Sequence, residues 1–130
     1  MALTTNDRTV VATDTTSVVA GIALPSATNG SMGLATMTTA YMCGGEAAPA
    51  ATAIYKWTQA SETISTSGNT LPVGKRLGSA SNGTAHGYMI GGHNGSSLTN
   101  GQKFLFSNDT STTTAGVAAP VATWLYNGCG

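Results

Sequence analysis

An internal repeat constrains the fold of this chain more than any other feature of its sequence. A glycine followed four residues later by a proline occurs three times in 130 residues, at positions 21–25, 68–72 and 116–120. Successive copies are offset by 47 and then 48 residues. A repeat of this period is typical of architectures in which similar supersecondary units stack on one another. We therefore expect the chain to consist of stacked copies of one unit.

Two of the copies also share a tyrosine followed by a diglycine, in the sequences AYMCGG at residues 40–45 and GYMIGG at residues 87–92. A diglycine permits positive φ angles and the close approach of another backbone segment. Because these positions recur, we interpret them as the structural core of the repeat. They are Tyr41, Gly44, Gly45, Tyr88, Gly91 and Gly92.

The length of the chain is that of a single domain. Within it the repeat defines a partial unit at residues 1–24, full units at residues 25–71 and 72–119, and a partial unit at residues 120–130. The chain thus holds about 2.7 units.

Composition favours an all-β fold. The chain has 22 Thr, 12 Ser and 17 Gly, but only 8% of its residues are charged. This composition is typical of short strands and tight turns rather than of surface helices. The net charge is zero, so no long-range field attracts nucleic acid or an anionic membrane as a partner. A surface without net charge also favours association, which suits a component of an assembly.

Strands can be placed within each full unit. The sequences TAYMC at residues 39–43 and HGYMI at residues 86–90 predict a strand that ends at the diglycine. The alternating aromatic sequences IYKW at residues 54–57 and KFLF at residues 103–106 predict a further strand with one buried face.

Turn residues separate these strands. The Asn82-Gly83 dipeptide predicts a hairpin or a bend. The sequence NDT beginning at Asn108 predicts an Asx or Ser/Thr turn into a threonine-rich strand at the outer edge of a sheet. Asp14 matches Asp109 in the repeat, and each of these aspartates is expected to bond its own backbone.

The second full unit resembles the kelch-type blade of galactose-oxidase-like β-propellers, and especially the degenerate repeats of bacteriophage tail and virion structural proteins. The resemblance lies in LPVGKRLGSASNGTAHGYMIGGHNG, followed by KFLFSNDT, and its most specific residues are Arg76, Gly87-Tyr88 and Gly91-Gly92. It implies four antiparallel strands in each unit, with the diglycine closing the second strand. The first full unit departs from this pattern at Asn29, where the second has Arg76.

A propeller needs more units than one such chain supplies. Propellers typically close with about four to eight blades, so we expect a kelch-like, propeller-like fold that is completed by oligomerisation. One concrete arrangement is a two-fold pair that forms a six-bladed ring. In it, residues 123–130 of one copy complete the blade begun by the N-terminal strands of the other. A β-trefoil or a β-sandwich is the alternative.

The sequence favours a non-enzymatic protein. The galactose-oxidase resemblance raises copper chemistry, but Tyr41 and Tyr88 are equivalent repeat positions and are therefore packing residues first. His86 and His93 have no histidine at the matching positions of the other copy, which favours hydrogen-bonding roles. No nucleophile elbow, phosphate loop or metal-binding motif is present. We therefore expect no catalytic residue, metal or cofactor.

Two cysteines, Cys43 and Cys129, are either a disulfide pair or free thiols. Two are too few for a disulfide scaffold, and their spacing is not that of a metal site. Cys43 aligns with the apolar Ile90, so a buried free thiol is the favoured interpretation.

One polar loop is a candidate binding surface. Residues 93–102 are rich in Asn, Gly and Ser, and such loops contact glycans when aromatic rings lie nearby. The alternative is that these residues serve only as turn formers. The candidate contacts with a glycan or a protein partner are Trp57, His93, Asn94 and Asn100.

Together these observations predict a non-enzymatic structural protein of a bacteriophage virion, either a tail or fibre component or a capsid-surface decoration protein. Its expected partners are copies of itself and other virion proteins. The start of the sequence lacks the pattern of a signal peptide, so we expect synthesis in the host cytoplasm and a final location in the virion. The alternative is a carbohydrate-binding module that recognises a bacterial cell-surface glycan.

Overall fold

The computed structural model describes residues 7–10, 15–18, 22–46 and 51–122. In this part of the chain the regular structure is β-strand, apart from short 3-10 turns such as Ala115–Val117. The predicted all-β class is confirmed.

Within the described ranges, ten strands form one hairpin and two four-stranded antiparallel sheets. The hairpin consists of β1 (Asp7–Val10) and β2 (Thr15–Val18). Sheet I consists of β3 (Met32–Ala35), β4 (Thr39–Cys43), β5 (Ile54–Thr58) and β6 (Thr63–Thr66). Sheet II consists of β7 (Ser79–Asn82), β8 (His86–Ile90), β9 (Gly101–Leu105) and β10 (Thr110–Thr113). Neighbouring strands in each sheet are consecutive in the sequence.

The two sheets are copies of one another, since every strand of sheet II lies 47 residues after its counterpart in sheet I. The predicted strands at residues 39–43 and 86–90 are confirmed, and the threonine-rich β10 is an edge strand as predicted. β9 begins at Gly101, two residues before the predicted start, because Gly101 pairs with Ile90 and extends the ladder. Neither described sheet closes on itself.

The β1–β2 hairpin has the same register as the last two strands of each sheet. In all three hairpins the final strand pair encloses a connection of four residues. These closing pairs are Val10 with Thr15, Thr58 with Thr63, and Leu105 with Thr110. The hairpin therefore corresponds to the last two strands of a unit.

The hydrophobic core lies between the two sheets. Its buried residues are Met32, Leu34, Tyr41, Cys43, Ile54, Leu71, Met89 and Phe104. The rings of Tyr41 and Phe104 pack with their centroids 4.8 Å apart. Gly87 lets the sheets approach closely, because a Cβ atom there would lie 2.7 Å from Cδ2 of Leu34. Tyr41 thus marks the face of sheet I that contacts sheet II.

The connection between the sheets passes beside both diglycines. Gly44 has a φ of 70°, and a Cβ atom there would lie 2.2 Å from the Lys75 carbonyl oxygen. That oxygen accepts a 3.0 Å hydrogen bond from the Gly45 N–H. On the sheet II side, the backbones of Arg76 and His93 exchange hydrogen bonds of 3.0 and 2.9 Å. The predicted close backbone approach at the diglycines is confirmed.

Candidate interaction site

A carboxylate of the second unit is held by two side chains of sheet I. Tyr41 in β4 and Lys56 in β5 lie opposite each other in the register, so their side chains project from the same face. The Tyr41 hydroxyl donates a 2.7 Å hydrogen bond to Oδ1 of Asp109. Lys56 Nζ donates a 2.7 Å hydrogen bond to Oδ2 of the same carboxylate. We call Tyr41 and Lys56 the sheet I pair.

The turn between β9 and β10 directs Asp109 towards this pair. Asp109 has a φ of 56°, in the left-handed region that aspartate adopts more readily than most residues. Oδ1 of Asn108 accepts hydrogen bonds of 3.3 Å from N and 2.6 Å from Oγ1 of Thr110. The prediction that Asp109 bonds its own backbone is therefore wrong, because Asn108 takes that role and leaves the carboxylate to cross to sheet I.

The electrostatics of this contact are complementary. Burial raises the pKa of Tyr41, and the hydrogen bond to Asp109 adds to the rise, so the hydroxyl remains a neutral donor. Lys56 forms a partly buried ion pair with Asp109, and its Nζ lies 5.7 Å from the centroid of the Tyr41 ring. Hydrogen bonds with a charged partner are about twice as strong as neutral ones. The contact therefore adds oriented hydrogen bonds and an ion pair to the apolar packing between the units.

Sheet II carries an equivalent pair on its other face. Tyr88 in β8 and Lys103 in β9 lie opposite each other in the register. Their strand neighbours Met89 and Phe104 are fully buried in the core between the sheets, and alternate side chains of a strand point to opposite faces. The pair thus faces away from sheet I. Within the described ranges neither side chain has a hydrogen bond or an ion pair. We call Tyr88 and Lys103 the sheet II pair.

Apolar side chains flank the sheet II pair. Ile90 lies two residues after Tyr88 and Leu105 two residues after Lys103, so both share the face of that pair, and all four are half-buried. In sheet I the counterparts of Tyr88 and Ile90 are only 2% and 0% exposed, because sheet II covers them. We call the surface formed by these four residues the outer face of sheet II.

The acid that occupies the sheet I pair also has counterparts. Asp14, Glu62 and Asp109 each stand at the last of the four residues that connect two paired strands. Glu62 has a φ of 49°, close to the 56° of Asp109. Asp14 lies outside the described residues. The sequence thus has three turn acids, whereas the tyrosine and lysine occur together in two copies.

A second cluster joins the units at the diglycine end. An Arg76 Nη atom donates to Oε1 of Glu46, which follows the sheet I diglycine. The other Nη atom lies 3.5 Å from Nδ1 of His93, and that nitrogen accepts a 3.2 Å hydrogen bond from the Gly95 N–H. His93 is 8% exposed. This agrees with the hydrogen-bonding role expected of His93.

Sequence reasoning did not identify the buried Lys75, which has 0% of its surface exposed. Its Nζ donates a 3.1 Å hydrogen bond to the Asn100 carbonyl oxygen, and burial lowers its pKa to about 8. Nearby, Nε2 of the buried Gln102 donates a 2.9 Å bond to the Val73 carbonyl oxygen. These bonds fasten the connection between the sheets to sheet II. A lysine beside an arginine gives no sequence signal of burial.

The candidate glycan contacts do not form one cluster. His93, Asn94 and Asn100 share the loop between β8 and β9, where Asn94 is exposed and His93 is buried. Trp57 lies on the face of sheet I turned away from sheet II, because its strand neighbour Lys56 faces sheet II and successive side chains alternate between faces.

The remaining candidates are a histidine and the cysteines. His86 lies in β8 opposite Leu105. Cys43 is a free, buried thiol, and burial raises its pKa to about 12. The alternative of a disulfide with Cys129 concerns a residue outside the described part. Among the described residues, no three His, Cys, Asp or Glu side chains are grouped as metal ligands.

No protein-family model matches this chain, and no curated protein matches it. In the described ranges no helix has the length and apolar character needed to span a membrane.

Proposed function

We propose that this chain is a non-enzymatic structural protein of a bacteriophage virion, a tail or fibre component or a capsid-surface decoration protein, that works as a homo-oligomer. One observation carries the proposal. The outer face of sheet II presents the tyrosine and lysine that sheet I uses to hold the next unit, and it presents them without a partner among the described residues. A protein that repeats its stacking surface, and leaves one copy of that surface partly exposed on sheet II, is suited to self-assembly.

The proposed architecture is a kelch-like propeller that several chains complete together. Each sheet is a consecutive four-stranded antiparallel unit, as in a propeller blade. Sheet I packs on sheet II through a face that recurs, 47 residues later, on the outside of sheet II. Continued stacking of the same kind closes a ring when the rotation per unit allows it. Two chains supply four full units, and in the proposed ring their terminal partial units combine into two more, which gives six.

The virion assignment draws on composition and on the resemblance to virion repeats. A threonine-rich chain with zero net charge has little charge repulsion to keep free copies apart. The direct experiment is mass spectrometry of gradient-purified phage particles released from cells that make this chain. The expected result is a constant number of copies per particle that persists after a high-salt wash. Detection only in the soluble lysate would contradict the virion assignment.

A carbohydrate-binding module is the second candidate. The observation that favours it is the exposed Asn94 in a polar loop whose His93 is held in place by hydrogen bonds. Amide groups held on a rigid loop satisfy sugar hydroxyls. A glycan array probed with the wild type and with Asn94→Ala tests this function, with Thr84→Ala as a control at another exposed turn. Binding lost only in Asn94→Ala would support the module, and an array without hits would exclude it for the glycans displayed.

A further inference from the structure

We propose that the outer face of sheet II docks the N-terminal hairpin of a second copy of this chain, with Asp14 of that copy bound between Tyr88 and Lys103. The inference rests on the proposed self-assembly and names the surfaces that carry it. Within one chain the same contact is already made by Asp109 on the sheet I pair.

The docking surface on sheet II is equivalent to the contact surface of sheet I. Tyr41 faces Lys56 across β4 and β5, and Tyr88 faces Lys103 across β8 and β9, each pair at the same position of its ladder. The sheet I pair binds a carboxylate with two hydrogen bonds of 2.7 Å. The sheet II pair therefore offers the same phenol donor and ammonium group to a carboxylate from outside.

The turn between β1 and β2, which is equivalent to the turn between β9 and β10, identifies the segment that docks on this surface. β1 and β2 pair in the register of β9 and β10, with Arg8 opposite Ser17 as Lys103 is opposite Thr112. In both hairpins four residues join the strands, and the last of the four is Asp14 or Asp109. A negative charge at this position complements Lys103.

The order of units favours a second copy over the same chain. Asp109 of one unit binds the pair of the unit that precedes it. The connection from β2 to β3 contains the same glycine and proline motif as the connection from β6 to β7. By this order the hairpin of a chain belongs to the unit before sheet I. The outer face of sheet II, in contrast, is the surface that binds the unit after sheet II. The hairpin proposed for this face is therefore that of another copy.

Apolar contact adds to the charge match. Ile90 and Leu105 flank the sheet II pair and are half-buried in the single chain. The Ile90 counterpart in sheet I, Cys43, is fully buried once the next unit is in place. A docked second copy would bury the outer face of sheet II in the same way and add a hydrophobic contribution to the ion pair.

Reciprocal charge reversal tests this interface. Lys103→Glu and Asp14→Lys each place like charges at every copy of the proposed contact. In an equimolar mixture, the new glutamate of one variant meets the new lysine of the other in one interface, and the original pair is kept in the other interface. Multi-angle light scattering at matched concentrations is the measurement. We expect each variant alone to associate at least about tenfold more weakly than the wild type, and the mixture to recover the wild-type mass.

Controls separate this interface from assembly in general. Thr84→Glu adds a negative charge at an exposed turn of sheet II and should leave the mass unchanged, and circular dichroism should show folded protein in every variant. Single variants that assemble like the wild type would overturn the interface while self-assembly stands. Single variants that dissociate without recovery on mixing would exclude Asp14 as the occupant. A wild type that is monomeric at all concentrations would contradict both proposals.

Discussion

Sheets I and II have the same strands, the same register and the same tyrosine and lysine pair, yet the two pairs have different surroundings. Tyr41 and Lys56 are covered by sheet II and bind Asp109. Tyr88 and Lys103 face outward and bind nothing in the described ranges. The same surface is therefore part of the core in sheet I and part of the exterior in sheet II. This difference supports the proposal that a second copy of the chain packs on the outer face of sheet II.

The opposite faces of the sheets support the same proposal. Phe104 is fully buried between the sheets, and its sheet I counterpart is the half-buried Trp57 on the face away from sheet II. Met89 and Met42 are related in the same way. Large apolar side chains are thus present at these positions in both copies, although sheet II covers neither Trp57 nor Met42.

The diglycine end should be highly sensitive to substitution. Gly44→Ala would place a Cβ atom 2.2 Å from the Lys75 carbonyl oxygen at a φ of 70°, so we expect a loss of about 3 kcal/mol or more in the free energy of unfolding. Gly33→Ala is the matched control, because a Cβ atom at Gly33 meets nothing within 4 Å. Urea unfolding measures both, and equal stabilities would contradict the close approach.

The core between the sheets should matter more than the outer face in the isolated chain. Phe104→Ala removes a fully buried ring and should cost about 3–5 kcal/mol. Leu105→Ala truncates a half-buried side chain on the outer face and should cost about 1 kcal/mol in the monomer. The Leu105→Ala cost should grow at concentrations where chains associate. A constant cost would argue against burial of this face in the oligomer.

Replacement of the buried lysine should stabilise the protein near neutral pH. Lys75→Met removes a charge that burial disfavours and should add about 1–3 kcal/mol to the free energy of unfolding. Because burial lowers the Lys75 pKa from 10.5 to about 8, the burial cost is fully present below pH 8 and disappears as the pH rises towards 10.5. The gain measured by urea unfolding should therefore shrink over this range. A less stable variant at pH 6 would contradict the account.

The contact between Asp109 and the sheet I pair should contribute a smaller, measurable amount. Asp109→Asn loses the ion pair with Lys56 and should lower the free energy of unfolding by about 1–2 kcal/mol. Lys103→Gln removes the unpaired counterpart and should change the stability of the monomer by less than about 0.5 kcal/mol. Thermal unfolding of dilute protein gives both values, and similar losses would show that the Asp109 contact contributes no more to stability than the unpaired Lys103.

Tyr41 should contribute a pH dependence in alkaline solution. Its pKa is raised in the folded protein, whereas a tyrosine in the unfolded chain ionises near pH 10. Stability should fall as the pH rises above about 10, because the unfolded state loses the proton first. Tyr41→Phe should remove this part of the fall and cost about 1 kcal/mol at pH 7 through the lost hydrogen bond. An unchanged alkaline profile would contradict the buried phenol.

The strands could be predicted from the sequence because the repeat provides two independent views of one unit. Residues 39–43 and 86–90 are strands in the structure as predicted. The partner of Asp109 could not be predicted, since a local turn motif does not specify which of two adjacent polar side chains closes the turn. The burial of Lys75 could not be predicted either, because it depends on the carbonyl oxygen of Asn100 lying 3.1 Å from Nζ in the folded chain.

The mass of the wild-type chain in solution tests the central claim most directly. Sedimentation equilibrium across a wide concentration range should show a defined multiple of 13.0 kDa, with two copies as the simplest closed arrangement. A stable species of 13.0 kDa at every concentration would mean that the outer face of sheet II needs no neighbouring copy, and would contradict the account.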